Sequence, residues 1–342
     1  VTAVGIVGAG SWGTALAANL GASGRPVVLW ARRPETAAAL QRERQNRAYL
    51  PGVTLGETVR VTASLADLAG CDPLLLVVPS HGLRSVLRTW LEASKWSKSA
   101  ADSPVTLVSA AKGVEGDTLA RMSQVCREES EAAGRATGFA VLSGPTFAAE
   151  VGAGAPTAAV VAASDRALAD RVQRCLATPS LRLYSSTDVV GVELAGTAKN
   201  VIAIGAGVVA GLGLGHNTLA ALITRGLHEI ARLGAAYGGQ PRTFMGLAGL
   251  GDLVLTSTGG LSRNRRVGLE LAAGRTLAQI SAGTSMVAEG VRNSLAVARL
   301  AAAREVEMPI TEQMVEVLYH GKPPRQAVED LMRRELKAED EL

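Results

Sequence analysis

The sequence predicts an α/β domain, its sheet doubly wound and mostly parallel, followed by an all-helical C-terminal domain. Three observations carry this expectation. A strand, a glycine-rich turn and a helix open the chain; short apolar strands then alternate with helical patterns; and beyond about Thr187 long helical runs take over. A length of 342 residues suits two domains, and 47% hydrophobic against 19% charged residues excludes disorder. Aromatics make up only 3%, so the core must be built from Ala, Val, Leu and Ile.

The opening reads Val4-Gly5-Ile6-Val7 as strand, Gly8-Ala9-Gly10-Ser11-Trp12-Gly13 as turn, and Ala15 to Leu20 as helix. In a chain with 38 glycines a G-x-G-x-x-G match alone says little. The strand–turn–helix order is what gives it meaning. Gly8 makes the tight turn, Gly10 lets a pyrophosphate approach the backbone, and Gly13 lets the helix pack closely. The free N–H groups of the helix start would face the phosphate charge. This is the opening of a Rossmann-type dinucleotide fold. Further strands are expected at Val27–Ala31, Leu74–Val78, Thr106–Ser109, Phe139–Leu142, Ala158–Ala162 and Arg182–Tyr184. Helical patterns fall between them at Glu35–Arg44, Arg84–Leu91, Leu119–Ser130 and Arg166–Ala177. Glu92–Pro104, with four serines and two lysines, reads as an exposed loop.

The boundary is expected at residues 187 and 188, with Thr187 capping a helix and Asp188 favourable in its first turn. The second domain, 188–342, then carries helices at Val189–Val209, Asn217–Tyr237, Glu289–Ala303, Ile310–Leu318 and Arg325–Leu336. The uncharged run Val201–Gly215 is short for a membrane span and holds five glycines, so a buried core helix is expected and no integral membrane segment. Residues from Glu335 onward read as a solvated end. A net charge of +4 is no nucleic-acid footprint. Cys71, Cys126 and Cys175 form no pair motif, and His81, His216, His228 and His320 have no metal-ligand spacing. With no signal peptide visible, a cytoplasmic location and no metal are expected.

The second strand ends in Arg32-Arg33, where an NAD-specific fold usually places a carboxylate for the ribose 2′-hydroxyl. Two guanidiniums suit a 2′-phosphate through fork-like bonds, so NADP(H) is expected over NAD(H), with NAD(H) still admitted. A solvated arginine pair would look the same in sequence. Lys112 follows the strand ending at Ser109, at the strand end where such sheets bind ligands. Lys199 sits with Asn200 inside a strongly apolar helix. Burial, and a nearby cation such as Lys112, would lower its pKa toward that of a neutral-pH acid/base; a lysine with its head in water satisfies the pattern equally. Asp252 is the one carboxylate in Gly246–Thr258 and reads either as a substrate or lysine partner or as a cap. Ser262-Arg263-Asn264-Arg265-Arg266 supplies planar and backbone donors for a phosphate monoester, or a solvated face. His81 receives no catalytic role.

Taken together these segments resemble the bacterial-type NAD(P)-dependent glycerol-3-phosphate dehydrogenases. The resemblance rests on Gly8–Leu16, Ala111-Lys112-Gly113, Leu142–Phe147, Lys199–Ile204, Thr224–Leu233, Gly246–Thr256, Leu261–Arg266 and Glu289-Gly290-Val291. It runs in order from the first strand to about Met332. It implies Lys199 as proton acceptor. It implies Lys112, Gly144, Thr146, Lys199, Asp252, Ser262, Arg263 and Asn264 as substrate contacts, with Arg263 and Asn264 on the phosphate. It implies cofactor contacts at Ser11, Trp12, Arg32, Arg33, Lys112, Ala148, Arg263, Val287 and Glu289, beside the glycines Gly8, Gly10 and Gly13. The reaction implied is reversible hydride transfer between NAD(P)H and dihydroxyacetone phosphate, giving sn-glycerol 3-phosphate for phospholipid synthesis. Departures are Ala111 where Thr is frequent, Thr146 for Ser, and a long Glu92–Pro104 loop. The partners expected are a small-molecule substrate, a second copy in an optional homodimer, and no nucleic acid. Rival readings are a dehydrogenase of a 3-hydroxy acid, sugar acid or imino acid, and a non-enzymatic NADP(H) sensor.

Overall fold

In the computed structural model, residues 2–93, 104–282, 288–336, 338 and 339 are described. The expected loop at Glu92–Pro104 lies almost wholly outside them, as does Val287. The chain divides into two compact units. One comprises Val1–Glu115 with Ala120–Val189, the other Gly116–Leu119 with Val190–Leu342.

The first unit is built on β1 (Val4–Val7), β2 (Val27–Trp30), β5 (Val59–Thr62), β6 (Leu74–Leu76), β7 (Val105–Ser109), β8 (Thr137–Ser143), β9 (Thr157–Ala162) and β10 (Leu181–Ser186). Their spatial order is β10-β9-β8-β7-β6-β1-β2-β5. From β1 the chain winds outward through β2 to β5, then returns to β6 on the other side of β1 and continues through β7 to β8. That reversal makes a topological switch point at the carboxyl ends of β1 and β6, where such sheets bind ligands. All neighbours are parallel except β8 and β9, so the sheet is mixed at one edge.

Each central strand is buried on both faces, which is why it reads as an unbroken apolar run. The strand period of two sorts its residues between two cores. Ile6, Leu29, Leu75 and Val108 join the core against α1 (Ser11–Ala22), α2 (Pro34–Glu43) and α6 (Arg166–Leu176). Val7, Trp30, Leu76 and Leu107 join the opposite core against α3 (Ser80–Ala93) and α4 (Met122–Ala132). The sequence reading missed β5, a four-residue edge strand interrupted by Arg60, which is paired with Asp67 at 2.9 Å. It also missed the hairpin of β3 (Gln45–Asn46) and β4 (Leu50–Thr54). A short α5 (Ala148–Gly152) follows β8.

The second unit contains α7 (Val189–Gly211), α8 (Gly215–Ala236), α9 (Pro241–Phe244), α10 (Asp252–Thr258), α11 (Arg263–Ala272), α12 (Leu277–Ala282), α13 (Glu289–Ala302), α14 (Pro309–Tyr319) and α15 (Pro324–Met332). α7 starts at Val189, so its flanking residue is Asp188 rather than Thr187. By length and composition α7 could cross a bilayer, but it is buried inside the protein from Gly191 to Val209. It is the core helix of this unit. The run ends earlier than Gly215 because Gly213 and Gly215 turn with φ of 68° and 82°. α11 lies against α7 backbone to backbone: a Cβ on Gly268 would stand 2.0 Å from the Ile204 carbonyl oxygen.

α14 begins against a buried carboxylate. Glu229 of α8 is 1% exposed and accepts hydrogen bonds from Ile310 N at 2.6 Å and Thr311 N at 3.2 Å. These are N–H groups that the helix itself leaves unpaired. Burial pushes the Glu229 carboxyl up to about 7, against the opposing pull of those N–H groups, the Thr311 hydroxyl and Arg232. A carboxyl raised from 4.5 in the unfolded chain contributes stability that is full below 4.5 and is lost as pH rises toward 7. Comparing thermal midpoints of the parent and Glu229→Gln proteins between pH 4.5 and 8 should show the parent losing stability relative to the variant as pH rises. Parallel curves would contradict this.

Candidate functional site

Two groups of side chains converge, one in each unit. In the first unit the glycine turn joins β1 to α1. Gly8 has φ of +118°, and a Cβ there would lie 2.5 Å from the Val77 carbonyl oxygen. A Cβ on Gly13 would fall 1.8 Å from the Gly8 oxygen, so the close neighbour is the turn itself, with Ile6 of β1 next at 3.4 Å. Around Gly10 a Cβ would meet nothing within 4 Å. The turn is closed where backbone must touch backbone and open where a pyrophosphate would approach, which fits a bound dinucleotide. Ser11 and Trp12 begin α1, and both are half-buried. Arg32 and Arg33 stand exposed past the end of β2, beside the turn, and neither guanidinium has a hydrogen bond or ion pair among the described residues.

On the same sheet, Lys112 follows β7 and Gly144 follows the adjacent β8. Lys112 Nζ donates to the Gly144 carbonyl oxygen at 3.0 Å, and Thr146 Oγ1 donates to the same oxygen at 3.1 Å. Gly144 adopts φ of +144° with Ala159 packed against it, so only glycine fits there. Three residues read separately from the sequence thus share one atom. Ala148 opens α5 and is half-buried.

In the second unit Lys199 lies at the middle of α7 and is 4% exposed; Asp252, at the start of α10, is 1% exposed. Lys199 Nζ donates to Asp252 Oδ1 at 2.9 Å and to Thr256 Oγ1 at 2.6 Å. Thr256 in turn donates to Asp252 Oδ1 at 3.2 Å. The lysine head is therefore inside the protein, which removes the reading with its head in water. Its ion-pair partner is a carboxylate, not the second cation that the sequence reading placed beside it. Thr256 was not singled out in the sequence, although its spacing of four from Asp252 on a helix was a legible signal. A π-helical turn, Leu247–Gly251, precedes Asp252 and delivers it to this position.

A second chain of polar contacts runs alongside. Asn264 Nδ2 donates to Asn200 Oδ1 at 2.8 Å, and Gly290 N donates to Asn264 Oδ1 at 3.0 Å. Asn293 Nδ2 donates to the Thr197 carbonyl at 3.2 Å. Asn264 is thus engaged through both ends of its amide. Ser262 caps α11, its Oγ accepting from Arg265 N at 3.1 Å. Arg263, the first residue of that helix, is exposed, and its guanidinium makes no hydrogen bond or ion pair among the described residues. Arg266 pairs loosely with Glu270 at 3.8 Å. Glu289 opens α13 next to Gly290, whereas Val287 lies outside the described residues. No group of three or more His, Cys, Asp or Glu that could hold a metal occurs among the described residues.

Comparison with known proteins gives these two units a common identity. Residues 3–169 match the model described as NAD-dependent glycerol-3-phosphate dehydrogenase N-terminus, and residues 188–329 match the corresponding C-terminus. The chain belongs to the NAD-dependent glycerol-3-phosphate dehydrogenase family. It is 52% identical over 339 residues to glycerol-3-phosphate dehydrogenase [NAD(P)+] of Geobacter metallireducens, covering 98% of each chain. The crystal structure of glycerol-3-phosphate dehydrogenase from Coxiella burnetii matches with a TM-score of 0.90 at 37% identity, covering 97% of this chain and 99% of that one. A ketopantoate reductase from Ralstonia eutropha shares the fold alone, at 16% identity and a TM-score of 0.56. The activity is accordingly NAD(P)-dependent oxidoreduction at a CH–OH group, that of a glycerol-3-phosphate dehydrogenase, and the rival substrate classes and the non-enzymatic sensor fall away.

Asp252→Ala strands the buried Lys199 ammonium and should lower the unfolding free energy by about 3–5 kcal/mol, while a Lys199→Met, Asp252→Leu double variant loses much less. Urea unfolding followed by circular dichroism measures both. Equal losses would mean that the two charges are not coupled.

Proposed function

We propose that Lys199 is the proton acceptor of this dehydrogenase and that NADP(H) is its preferred cofactor. The observation supporting the first reading is the buried Lys199–Asp252–Thr256 cluster in a chain of this family. The cofactor, when bound, supplies or takes the hydride at nicotinamide C4. Neutral Lys199 accepts the C2 hydroxyl proton of glycerol 3-phosphate during oxidation. In the reverse direction its ammonium returns that proton to the carbonyl oxygen of dihydroxyacetone phosphate. Asp252 and Thr256 fix the position of Nζ, and Asn200 is oriented by Asn264.

The remaining roles follow the family pattern residue by residue. Lys112, Gly144, Thr146, Asp252, Ser262, Arg263 and Asn264 bind substrate, with the exposed Arg263 guanidinium taking the phosphate. Ser262 serves by holding the helix start that carries Arg263 and Asn264. Gly8, Gly10, Ser11, Trp12 and Gly13 cradle the pyrophosphate, and Lys112, Ala148, Arg263 and Glu289 complete the cofactor contacts. Fixing the phosphate positions C2, and positioning supplies much of the rate. Reduction of dihydroxyacetone phosphate is the direction that feeds phospholipid synthesis. Three free cysteines suit a reducing compartment, and hence a cytoplasmic location.

Lys199→Ala should lower kcat with dihydroxyacetone phosphate by about 10²–10⁴-fold and leave NADPH affinity within twofold. The parent should reduce dihydroxyacetone phosphate far faster than unphosphorylated dihydroxyacetone. Retained turnover in the variant removes Lys199 from the proton transfer, and equal rates on the two ketones remove the phosphate subsite.

Arg32 and Arg33 are exposed, unpaired and placed past β2, where a 2′-phosphate would sit. In an Arg32→Ala, Arg33→Ala variant the NADPH KM should rise tenfold or more and the NADH KM should change little. An unchanged NADPH/NADH ratio in steady-state assays would refute the preference.

A further inference from the structure

We propose that Asn46 is a positioning residue for the dinucleotide: it holds the Ala9–Gly10 peptide of the glycine turn in its binding orientation. This rests on the turn being the cofactor site. Asn46 ends β3, outside the strand–turn–helix that carries the motif, and is 3% exposed. Its Nδ2 donates to the Ala9 carbonyl oxygen at 2.9 Å and to Thr14 Oγ1 at 2.8 Å. Its Oδ1 accepts from Tyr49 N at 3.2 Å. Both donor hydrogens and one acceptor site are therefore in use, and rotating the amide would break all three bonds.

The consequence for the cofactor follows from peptide geometry. Across a trans peptide the carbonyl and the next N–H point in opposite directions. Ala9–Gly10 is trans. Drawing the Ala9 oxygen toward Asn46 therefore aims the Gly10 N–H away from the hairpin. Thr14, the second anchor, is fully buried, and its N–H bonds the Gly10 oxygen at 2.9 Å. Asn46 thus grips the residues on either side of the open turn, Ala9 before it and Thr14 after it.

The hairpin that carries Asn46 is itself fixed. Arg44 stands in a left-handed conformation with φ of +57° and donates to the Leu55 oxygen at 3.2 Å and the Val59 oxygen at 2.8 Å, and also to the Gly56 oxygen. Its guanidinium ties the start of the hairpin to the segment leading into β5. A second tie crosses to the turn where Ser11 Oγ donates to the Tyr49 oxygen at 2.7 Å. A preorganised cradle avoids the cost of ordering these groups when the cofactor binds.

The test uses the full-length enzyme with NADPH and NADH as probes. Asn46→Ala should raise KM for both cofactors about tenfold, the effect of losing roughly 1.4 kcal/mol. The kcat, the KM for dihydroxyacetone phosphate and the NADPH/NADH ratio should each stay within twofold. Asn46→Asp keeps the acceptor for Tyr49 N but turns an oxygen lone pair toward the Ala9 carbonyl. Its cofactor KM should exceed that of the Ala variant at neutral pH and fall as pH is lowered, because a protonated carboxyl donates again. A purely structural role predicts no such recovery. Cofactor KM values within twofold of the parent, or a pH-independent KM in the Asp variant, would overturn the proposal. Gly10→Ala separates it from its premise, since the added methyl meets open space in the protein but crowds the pyrophosphate. Weakened cofactor binding in Gly10→Ala with none in Asn46→Ala defeats only the role of Asn46. Unchanged binding in both defeats the cofactor site at this turn as well.

Discussion

A lysine and a carboxylate removed from water in the middle of the helical unit impose conditions on everything packed around them. Lys199 and Asp252 are each at most 4% exposed, and neither could be buried without the other. Lys199 therefore needs an apolar helix rigid enough to hold it, and α7 provides 23 residues of it. Asp252 needs a backbone that brings it to Nζ from 53 residues away, which the π-helical turn before α10 does. Thr256 satisfies both partners with one hydroxyl. What results is a lysine Nζ held in place before any substrate arrives.

The same economy governs the nucleotide unit, where the constraint is the closeness of backbone to backbone. Gly13 approaches the Gly8 oxygen so nearly that no side chain fits, while Gly10 faces open space. Closed packing on one side of the turn and access on the other arise from the same six residues. The hairpin adds what the motif lacks, a side chain that holds the Ala9 carbonyl and so the Ala9–Gly10 peptide plane. Asn46 and the Tyr49 carbonyl supply that fixation from outside.

Much of this was legible in the sequence because it is local. Central strands buried on both faces appear as Val-, Ile- and Leu-rich runs, and the turn at Gly8–Gly13 announces itself by spacing. β5 escaped notice because four residues broken by Arg60 carry no periodic signal. Asn46 lies in the polar string Arg44-Gln45-Asn46-Arg47, where one asparagine looks like any other turn residue. Lys199 was conspicuous as a cation in an apolar helix, yet its partner had to be found in a glycine-rich stretch that reads as a turn. Ser262 was read as a substrate contact, and its oxygen also caps α11, a partnership that the sequence did not announce.

By itself the sequence determined the two-part architecture, the position of the dinucleotide turn and the family, because these rest on short-range patterns and on motifs in a fixed order. Only the tertiary structure decided that the Lys199 head is buried, that Asp252 and Thr256 hold it, and that Lys112 and Thr146 meet at the Gly144 oxygen. The physical reason is that a hydrogen bond between residues far apart in the chain leaves no trace in the local pattern of either. Burial and partnership are properties of the packed state.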